Sequence, residues 1–271
     1  MQIEKYNEKW SEAFRRFWCT VAHCDFSAIF SSQDYLPEYH LLGIIDGNVV
    51  CTAFLMKFEG YYMVLAGRKE EGILLPLLKN FMKNIENSSI NEVAIKVKPN
   101  DMELKCVLLK CNFQISSTHY KMKCQIYEQN SIPDGIKICA ENELENAQKL
   151  FLESFGEKER RNIVAYFERE QKEMVVLESY ACGKLCGALI LMRFPQDCTR
   201  AYIPLIAVSE NFRSQGHGRK LLRGAKGWAC MNGVKEIFLA VETSNKNAVE
   251  LYKKEGFEIC EEMEIFVWKG S

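Results

Sequence analysis

The chain has 271 residues, of which 48% are hydrophobic, so it is long enough for one large domain or two of ordinary size. Its 35 basic and 36 acidic residues give a formal net charge of −1, which argues against general nucleic-acid binding. The amino terminus reads MQIEKYNEKW, with charges where a secretory signal is apolar, and no apolar run approaches the roughly 20 residues of a membrane span. We therefore expect a soluble, cytoplasmic protein with neither nucleic acid nor a membrane as its partner.

Twelve cysteines are spread along the chain without a metal-binding or redox spacing. The closest pairs are 19/24, 106/111 and 182/186, and none has the CxxC spacing of a zinc ribbon or a thioredoxin-like site. His23 beside Cys24 is a possible metal ligand, but no second pair of the same kind follows. We expect no metal, and we interpret the cysteines as reduced thiols that pack like small apolar side chains.

The first half of the chain predicts alternating strands and helices. The pattern predicts a helix over 8–18 and a hairpin of strands 40–45 and 49–57 across an Asp-Gly-Asn turn. It then predicts a strand at 61–65, a helix at 73–85, a strand at 92–97, a helix at 103–110 and closing strands over 113–126.

A polar segment with Pro and Gly, 129–135, looks like a linker to the second half. After it we expect a strand at 136–140, helices at 141–155 and 159–171, and a hairpin of strands 174–179 and 185–194. A strand at 202–208, a helix at 218–232, a strand at 236–241, a helix at 247–255 and one or two closing strands from 257 follow.

The two halves follow the same plan and can be laid together without gaps at an offset of 144 residues. Glu92 then meets Glu236, Phe113 meets Phe257, and Gly72 meets Gly216. Identity is low, so the shared order of elements carries more weight than the matching residues. The sequence predicts a tandem repeat of one fold, with domains at 1–130 and 131–271.

The most informative stretch runs from 205 to 222, where an apolar strand leads through a polar turn into an amphipathic helix. Gly216 and Gly218 allow the backbone to approach a ligand, and the unpaired N–H groups at the helix start favour an anion such as pyrophosphate. Arg213 and Arg219 flank the turn. The third glycine of a dinucleotide-binding turn and the Gly-Lys-Ser/Thr of a phosphate-loop NTPase are both missing.

This stretch resembles the acetyl-CoA signature of the GNAT superfamily of N-acetyltransferases, Arg/Gln-x-x-Gly-x-Gly/Ala after a strand. Residues 245–257 resemble the second signature of that family, Asn-x-x-Ala-x-x-x-Tyr-x-x-x-Gly-Phe. The resemblance covers about 130 residues of the second half, and in the first half it rests on element order alone. It implies an α/β fold of two tandem GNAT-like domains, each a mixed, largely antiparallel sheet flanked by helices.

The resemblance also implies site residues and acetyl-CoA as co-substrate. The strand at 205–208 should carry a bulge, which frees the amides of Ile206 and Val208, on either side of Ala207, for the pantetheine arm and the thioester carbonyl. Asn245 should contact pantetheine, and Tyr252 should protonate the leaving thiolate. The pyrophosphate should lie against the turn and first helical residues: Arg213, Ser214, Gln215, Gly216, His217, Gly218, Arg219 and Lys220.

Several of these residues have simpler readings. Tyr252 is otherwise a core aromatic, Asn245 a helix cap, and His217 is expected to contribute its backbone rather than act as a base. The general base is not evident, because Tyr202 stands where many family members have a carboxylate. Glu242, at the end of the next strand, and a chain of water molecules are the alternatives.

The first half departs from the signature. Leu74 stands where Gly218 stands, and Glu70 and Glu71 would repel a pyrophosphate. Asp101 replaces Asn245, and position 252 has Leu108 as its counterpart. We expect a degenerate domain that has lost the cofactor and braces the active one.

The sequence therefore predicts an N-acetyltransferase that acts on a primary amine of a small molecule, as a monomer or homodimer. One alternative is a protein that binds acetyl-CoA to sense it without turnover. Another is an aminoacyl transferase that uses charged tRNA, although the neutral net charge argues against it.

Overall fold

The computed structural model describes residues 1–21, 34–58, 61–128, 130–140, 143–168, 174–194 and 197–270. The possible ligand pair His23 and Cys24 lies outside these residues. The chain forms two compact units. The N-terminal unit comprises Met1–Ser117 and Met263–Ser271, and the C-terminal unit comprises Thr118–Glu262.

In its described residues, the N-terminal unit is a mixed sheet with three α-helices. Its strands are β1 (Gln2–Lys5), β2 (Tyr35–Ile45), β3 (Asn48–Phe58), β4 (Tyr61–Arg68), β5 (Glu92–Val97) and the end of β12 (Glu258–Lys269). They lie side by side in that order, and among these described strands only β4 and β5 are parallel. The helices are α1 (Ser11–Val21), preceded by a 3-10 turn, α2 (Leu74–Glu86) and α3 (Met102–Lys110).

The C-terminal unit repeats this plan. Its strands lie in the order β6 (Gln114–Gln125), β11 (Glu236–Glu242), β10 (Asp197–Val208), β9 (Lys184–Phe194), β8 (Met174–Ala181) and β7 (Ile136–Ile138). Only β10 and β11 are parallel. The helices are α4 (Glu145–Glu168), α5 (His217–Met231) and α6 (Lys246–Lys254).

Helical spacing of apolar residues decides which face each helix buries. On α5, Leu221, Leu222, Ala225 and Ala229 are fully buried and pack on one face of the C-terminal sheet, together with α6. On α4, Ala147, Leu150, Phe151 and Ile163 pack on the opposite face, under a separate apolar cluster. The strand that carries the candidate site, β10, is therefore covered from both sides.

The closing strand of each half of the sequence pairs with a strand from the other half. From His119 to Gln125, β6 pairs with β11 inside the C-terminal unit. From Glu264 to Lys269, the last strand of the chain pairs with β5 inside the N-terminal unit. The predicted domains 1–130 and 131–271 divide the sequence at one point, whereas the two compact units are defined by contacts between residues. The predicted boundary therefore stays a prediction.

Three element predictions are corrected. Residues 145–168 form one continuous helix and not two, since the chain stays helical through Gly156. The strand β1 at the amino terminus was not predicted. The gap-free offset holds for α3 and α6 but not for the hairpins, whose turns Asp46-Gly47 and Cys182-Gly183 share positive φ at an offset of 136.

The predicted linker is partly packed against the C-terminal unit. Ile132 and Ile136 lie against its main apolar cluster. A Cβ added to Gly227 of α5 would lie 2.4 Å from the Ser131 carbonyl carbon, so helix and segment are in direct backbone contact. Within the described residues, no helix is long and apolar enough to cross a membrane.

Candidate active site

The strand β10 has an irregularity at Pro204. Its register against β9 shifts between Tyr202 and Leu205. Ile203 packs in the cluster beneath α5 and α6, whereas Leu205 packs in the cluster beneath α4. Residues two apart on a regular strand share a face, so one extra residue, a β-bulge, lies between them. The prediction of a bulge within 205–208 is therefore corrected: the register is regular there, and the shift lies just before it, at Pro204. Proline lacks an N–H and is tolerated at such bulges, so Pro204 was a signal in the sequence that the prediction missed.

Beyond the bulge, β10 has an open edge. Its parallel ladder with β11 joins residues 200–203 to 236–239 and does not continue, although both strands are described to their ends. On the other side, the Ser209 N–H donates to the Cys186 carbonyl at 2.9 Å, which makes this a hydrogen-bonded pair. Such pairs alternate along an antiparallel ladder, so Ile206 and Val208 direct their N–H groups away from β9, toward the open edge.

The open edge leads into a loop of positive-φ residues. Ser214 has φ 62° and Gly216 has φ 87°, and Gly216 is the N-cap of α5 without a side-chain capping bond. The first N–H groups of α5 therefore have no capping acceptor from a side chain, and together with the positive end of the helix dipole they suit an anion. A Cβ on Gly218 would lie 3.1 Å from Leu251 Cδ2, so this position fits α6 only as glycine or with a small shift of Leu251.

The ring of His217 is turned into the protein. It is 6% exposed, and its Nδ1 lies 2.9 Å from the Ser179 hydroxyl, which is itself fully buried. Phe212 contacts the ring edge to face at 5.9 Å. Burial, and then the nearby charge of Lys220, lower the pKa of His217, so the neutral ring anchors the loop at neutral pH.

Some polar side chains of the loop contact backbone carbonyls or a carboxylate outside the loop. Arg213 lies 3.4 Å from the Val208 carbonyl, and the side-chain amide of Gln215 donates to the Asn211 carbonyl at 3.0 Å. Arg219 pairs with Glu255 at 3.2 Å. The Lys220 side chain is exposed.

Glu255 is a site residue that the sequence did not suggest. Its carboxylate is 3% exposed and pairs with Arg219, Arg223 and Lys226, at 3.2, 3.0 and 3.3 Å. These three cations recur at helical spacing on α5, while Glu255 follows α6. The cluster ties the two helices together and leaves an excess of two positive charges beside the loop.

The start and the middle of α6 place the other two predicted residues. The Asn245 side-chain oxygen accepts from the Ala248 N–H at 3.2 Å and caps the helix, so the capping role is real. Tyr252 is 7% exposed, and its hydroxyl has no hydrogen bond to any described residue. Burial, and then the proximity of Tyr202, raise the pKa of Tyr252 to about 12, so its phenol is protonated at neutral pH.

Glu242 lies at the end of β11, three residues beyond the last pairing with β10, and thus beside the open edge. It is exposed, and its carboxylate accepts from the Ser244 hydroxyl at 2.7 Å. Tyr202 is half-buried on β10 just before the bulge. Within the described parts of the chain, no three His, Cys, Asp or Glu side chains cluster as metal ligands, and the described cysteines are free thiols.

Comparison with known sequences finds a family model that matches one part of the chain. Residues 141–257, which include every predicted site residue, match the Acetyltransferase (GNAT) family. The chain matches no curated protein.

Comparison with solved structures extends the fold to the whole chain. A GCN5-related N-acetyltransferase from Sphaerobacter thermophilus has a TM-score of 0.70 at 14% identity, over 99% of this chain and 95% of that one. A tandem GNAT protein from the clavulanic acid biosynthesis pathway has a TM-score of 0.62 at 14% identity, over 86% and 82%. A GNAT acetyltransferase from Colwellia psychrerythraea has a TM-score of 0.60 at 16% identity, over 99% and 100%. The predicted fold, two GNAT-like units in tandem, is confirmed.

Proposed function

Because residues 141–257 form a domain of the Acetyltransferase (GNAT) family, we propose that this chain transfers an acetyl group from acetyl-CoA to a primary amine of a small molecule. The observation that carries the proposal is the open edge of β10 after Pro204, which leads directly into the positive-φ loop at the start of α5. A long ligand with an amide-containing arm and a pyrophosphate matches this sequence of donors.

The backbone donors have separate parts in this proposal. The N–H groups of Ile206 and Val208 extend the edge of β10 to the pantetheine arm and polarise the thioester carbonyl, with Ala207 between them turned toward α4. The amides and flanking side chains of residues 213–220 hold the pyrophosphate, with Gly218 leaving room for Leu251 of α6 against the loop. The His217 side chain anchors the loop, and Asn245 keeps its amide nitrogen for a pantetheine carbonyl.

In the reaction, the neutral amine attacks the carbonyl carbon and the carbon–sulfur bond breaks. The amine loses one proton and the thiolate gains one. Tyr252 supplies the neutral hydroxyl for the thiolate, but a phenol with a pKa of about 12 is a weaker acid than a typical thiol, with a pKa of about 8.5. Tyr252 therefore acts first as a hydrogen-bond donor to the developing sulfur charge.

Glu242 is the carboxylate that we propose for removing the amine proton, directly or through water. Its side chain is exposed beside the open edge, so it can reach an acceptor without the cost of burying a charge. Replacement of Glu242 by Gln should lower turnover most at low pH, where more of the amine is protonated. An unchanged pH profile would favour a water chain without Glu242.

Calorimetric titration with acetyl-CoA is the first test. Wild type should bind one acetyl-CoA per chain, and Gly218→Glu should abolish binding because it adds bulk and negative charge at the loop. Thermal unfolding of the variant controls for loss of fold. No binding by folded wild type would refute the proposal, and two sites per chain would mean that the N-terminal unit also binds.

Tyr252→Phe separates catalysis from sensing. With a panel of primary amines and detection of released thiol, the variant should lose about 100-fold or more in kcat and keep the wild-type affinity for acetyl-CoA. A wild type that binds acetyl-CoA but releases no thiol with any amine would support the sensing alternative. Binding of tRNA at modest salt would instead support the aminoacyl transferase.

A further inference from the structure

The N-terminal unit has a loop built like the proposed phosphate loop of the C-terminal unit. Gly72 lies 144 residues before Gly216, and the two have φ of 81° and 87°. Gly216 is the N-cap of α5, and Gly72 lies one residue before Ile73, the N-cap of α2; both helices pack on the sheet of their unit. The helix α2 also begins without a side-chain capping bond, so the N–H groups of Leu74 and Leu75 offer donors of the same kind, although Pro76 in the next position has no N–H.

A carboxylate of the same chain occupies this loop. Glu103 Oε1 accepts from the Gly72 N–H at 2.5 Å, and Glu103 Oε2 accepts from Arg68 Nε at 2.6 Å. The Glu103 side chain is only 18% exposed; its bond from Arg68 is partly buried, and its bond from the Gly72 N–H lies at the surface. Both oxygens of one anion are thus held by a loop amide and a guanidinium, the donor types that bind a phosphate in proteins.

The guanidinium is fixed in place by a second carboxylate. Arg68 donates to Asp101 at 3.2 and 2.6 Å, and Asp101 also caps α3 through the Leu104 N–H at 3.0 Å. Hydrogen bonding to Asp101, against the opposing effect of burial, raises the pKa of Arg68. Burial acts to raise the pKa of Asp101, but its hydrogen bonds from Arg68 and Leu104 outweigh this and lower it.

The corresponding positions of the C-terminal unit carry neither a carboxylate nor a guanidinium. Glu103 has Asn247 as its counterpart at the offset of 144, and Arg68 has Phe212. Asn247 is exposed and carries no charge. Among the described residues, a carboxylate therefore accepts from the loop glycine N–H only in the N-terminal unit, whereas in the C-terminal unit Glu255 pairs with the Arg219 side chain.

We propose that the N-terminal unit retains an anion site of phosphate-loop construction, and that Glu103 fills it in place of a ligand phosphate. The inference rests on the proposed function only in taking residues 213–220 as the phosphate loop that it copies. With Glu103 in this site, the N-terminal unit keeps its loop ordered without acetyl-CoA. The chain is then left with one site for acetyl-CoA, in the C-terminal unit.

Hydrogen–deuterium exchange with inorganic pyrophosphate tests the proposal in the full chain. In wild type, pyrophosphate should leave exchange of the 68–76 segment unchanged. Glu103→Ala should exchange about 10-fold faster there, with a Tm lower by roughly 3–8 °C, because it loses two charge-assisted bonds. Pyrophosphate at millimolar concentration should then restore protection of that segment.

The matched control is Glu71→Ala, which removes one negative charge from the same loop at an exposed position. It should behave as wild type. Glu103→Gln keeps an acceptor for Gly72 and loses the charge, so it provides a variant with a smaller structural perturbation and should show a smaller rise in exchange.

Protection of the 68–76 segment by pyrophosphate in wild type would overturn the proposal, as would its absence in Glu103→Ala. Wild-type exchange in Glu103→Gln would show that the charge plays no part. Pyrophosphate protection at 213–220 is scored separately, so failure of the proposed function and failure of this inference give different patterns.

Discussion

Substitution of His217 distinguishes an anchor of the phosphate loop from a catalytic base. His217 lies between Gly216 and Gly218 in sequence, and its ring is 6% exposed, with Nδ1 2.9 Å from the buried Ser179 hydroxyl. His217→Asn places an amide near the position of Nδ1 and cannot titrate in the neutral range, so it keeps the anchor and removes the base. His217→Ala removes both.

The magnitudes follow from what each variant leaves unpaired. His217→Ala leaves the fully buried Ser179 hydroxyl without its hydrogen-bond partner and opens a cavity in place of the ring. Together these effects should lower the free energy of unfolding by about 2–4 kcal/mol. At about 2–4 °C per kcal/mol, its Tm should fall by roughly 5–15 °C, whereas His217→Asn should lose only about 2–4 °C. Loosening of the loop should weaken acetyl-CoA binding about 10-fold or more in His217→Ala and only about 3-fold or less in His217→Asn.

The assay combines thermal unfolding, calorimetric titration with acetyl-CoA, and the pH dependence of thiol release. His217→Asn should keep the shape of the wild-type pH profile, because a lowered pKa leaves His217 neutral throughout the working range. If His217→Asn keeps its Tm and its affinity but loses turnover together with the acid limb of the profile, then His217 is the base and the anchor argument is refuted.

Three other predictions concern stability. Gly227→Ala should lower Tm by several degrees, because its Cβ meets linker backbone at 2.4 Å, while Gly224→Ala meets only a movable side chain at 3.0 Å and should be nearly neutral by the same thermal scan. His40 has a pKa of about 3 because it is buried, below its unfolded value of 6.5, so the unfolded chain takes up the proton first. Wild type should therefore lose about 1.4 kcal/mol per pH unit more than His40→Gln in denaturant unfolding as pH falls from about 6.5 toward 3. A 131–271 fragment lacks the strand that pairs with β11 and should aggregate, whereas a 118–262 fragment should stay monomeric in size-exclusion chromatography.

The sequence located the site elements well because their start and stop signals are local. Gly216 precedes α5 and Asn245 precedes α6, and both helices begin within one residue of the predicted position. The resemblance placed the bulge of β10 within 205–208, whereas it lies just before, where Pro204 in the middle of an apolar strand was a physical signal for it. These features depend on a few neighbouring residues, so no tertiary contact is needed to recognise them.

Pairing of the closing strands could not be predicted in this way. The strands β6 and β12 occupy the same place in the two repeats, 144 residues apart, and begin at matching positions, Gln114 and Glu258. An alternating strand pattern specifies which face is buried but not which neighbour it pairs with. Either strand could therefore have closed either unit, and the exchange is decided by contacts far apart in the chain.

The N-caps of α3 and α6 differ in one side-chain atom, and this atom distinguishes what the fold requires from what the proposed chemistry requires. Asp101 accepts from the Leu104 N–H at 3.0 Å, and Asn245 accepts from the Ala248 N–H at 3.2 Å, so both satisfy the helix equally. A cap needs only one acceptor oxygen, which either residue supplies. The proposed contact with pantetheine needs an amide donor as well, and only Asn has one. Asn245→Asp should therefore preserve Tm and weaken acetyl-CoA binding, and a loss of Tm without a change in affinity would contradict this division of roles.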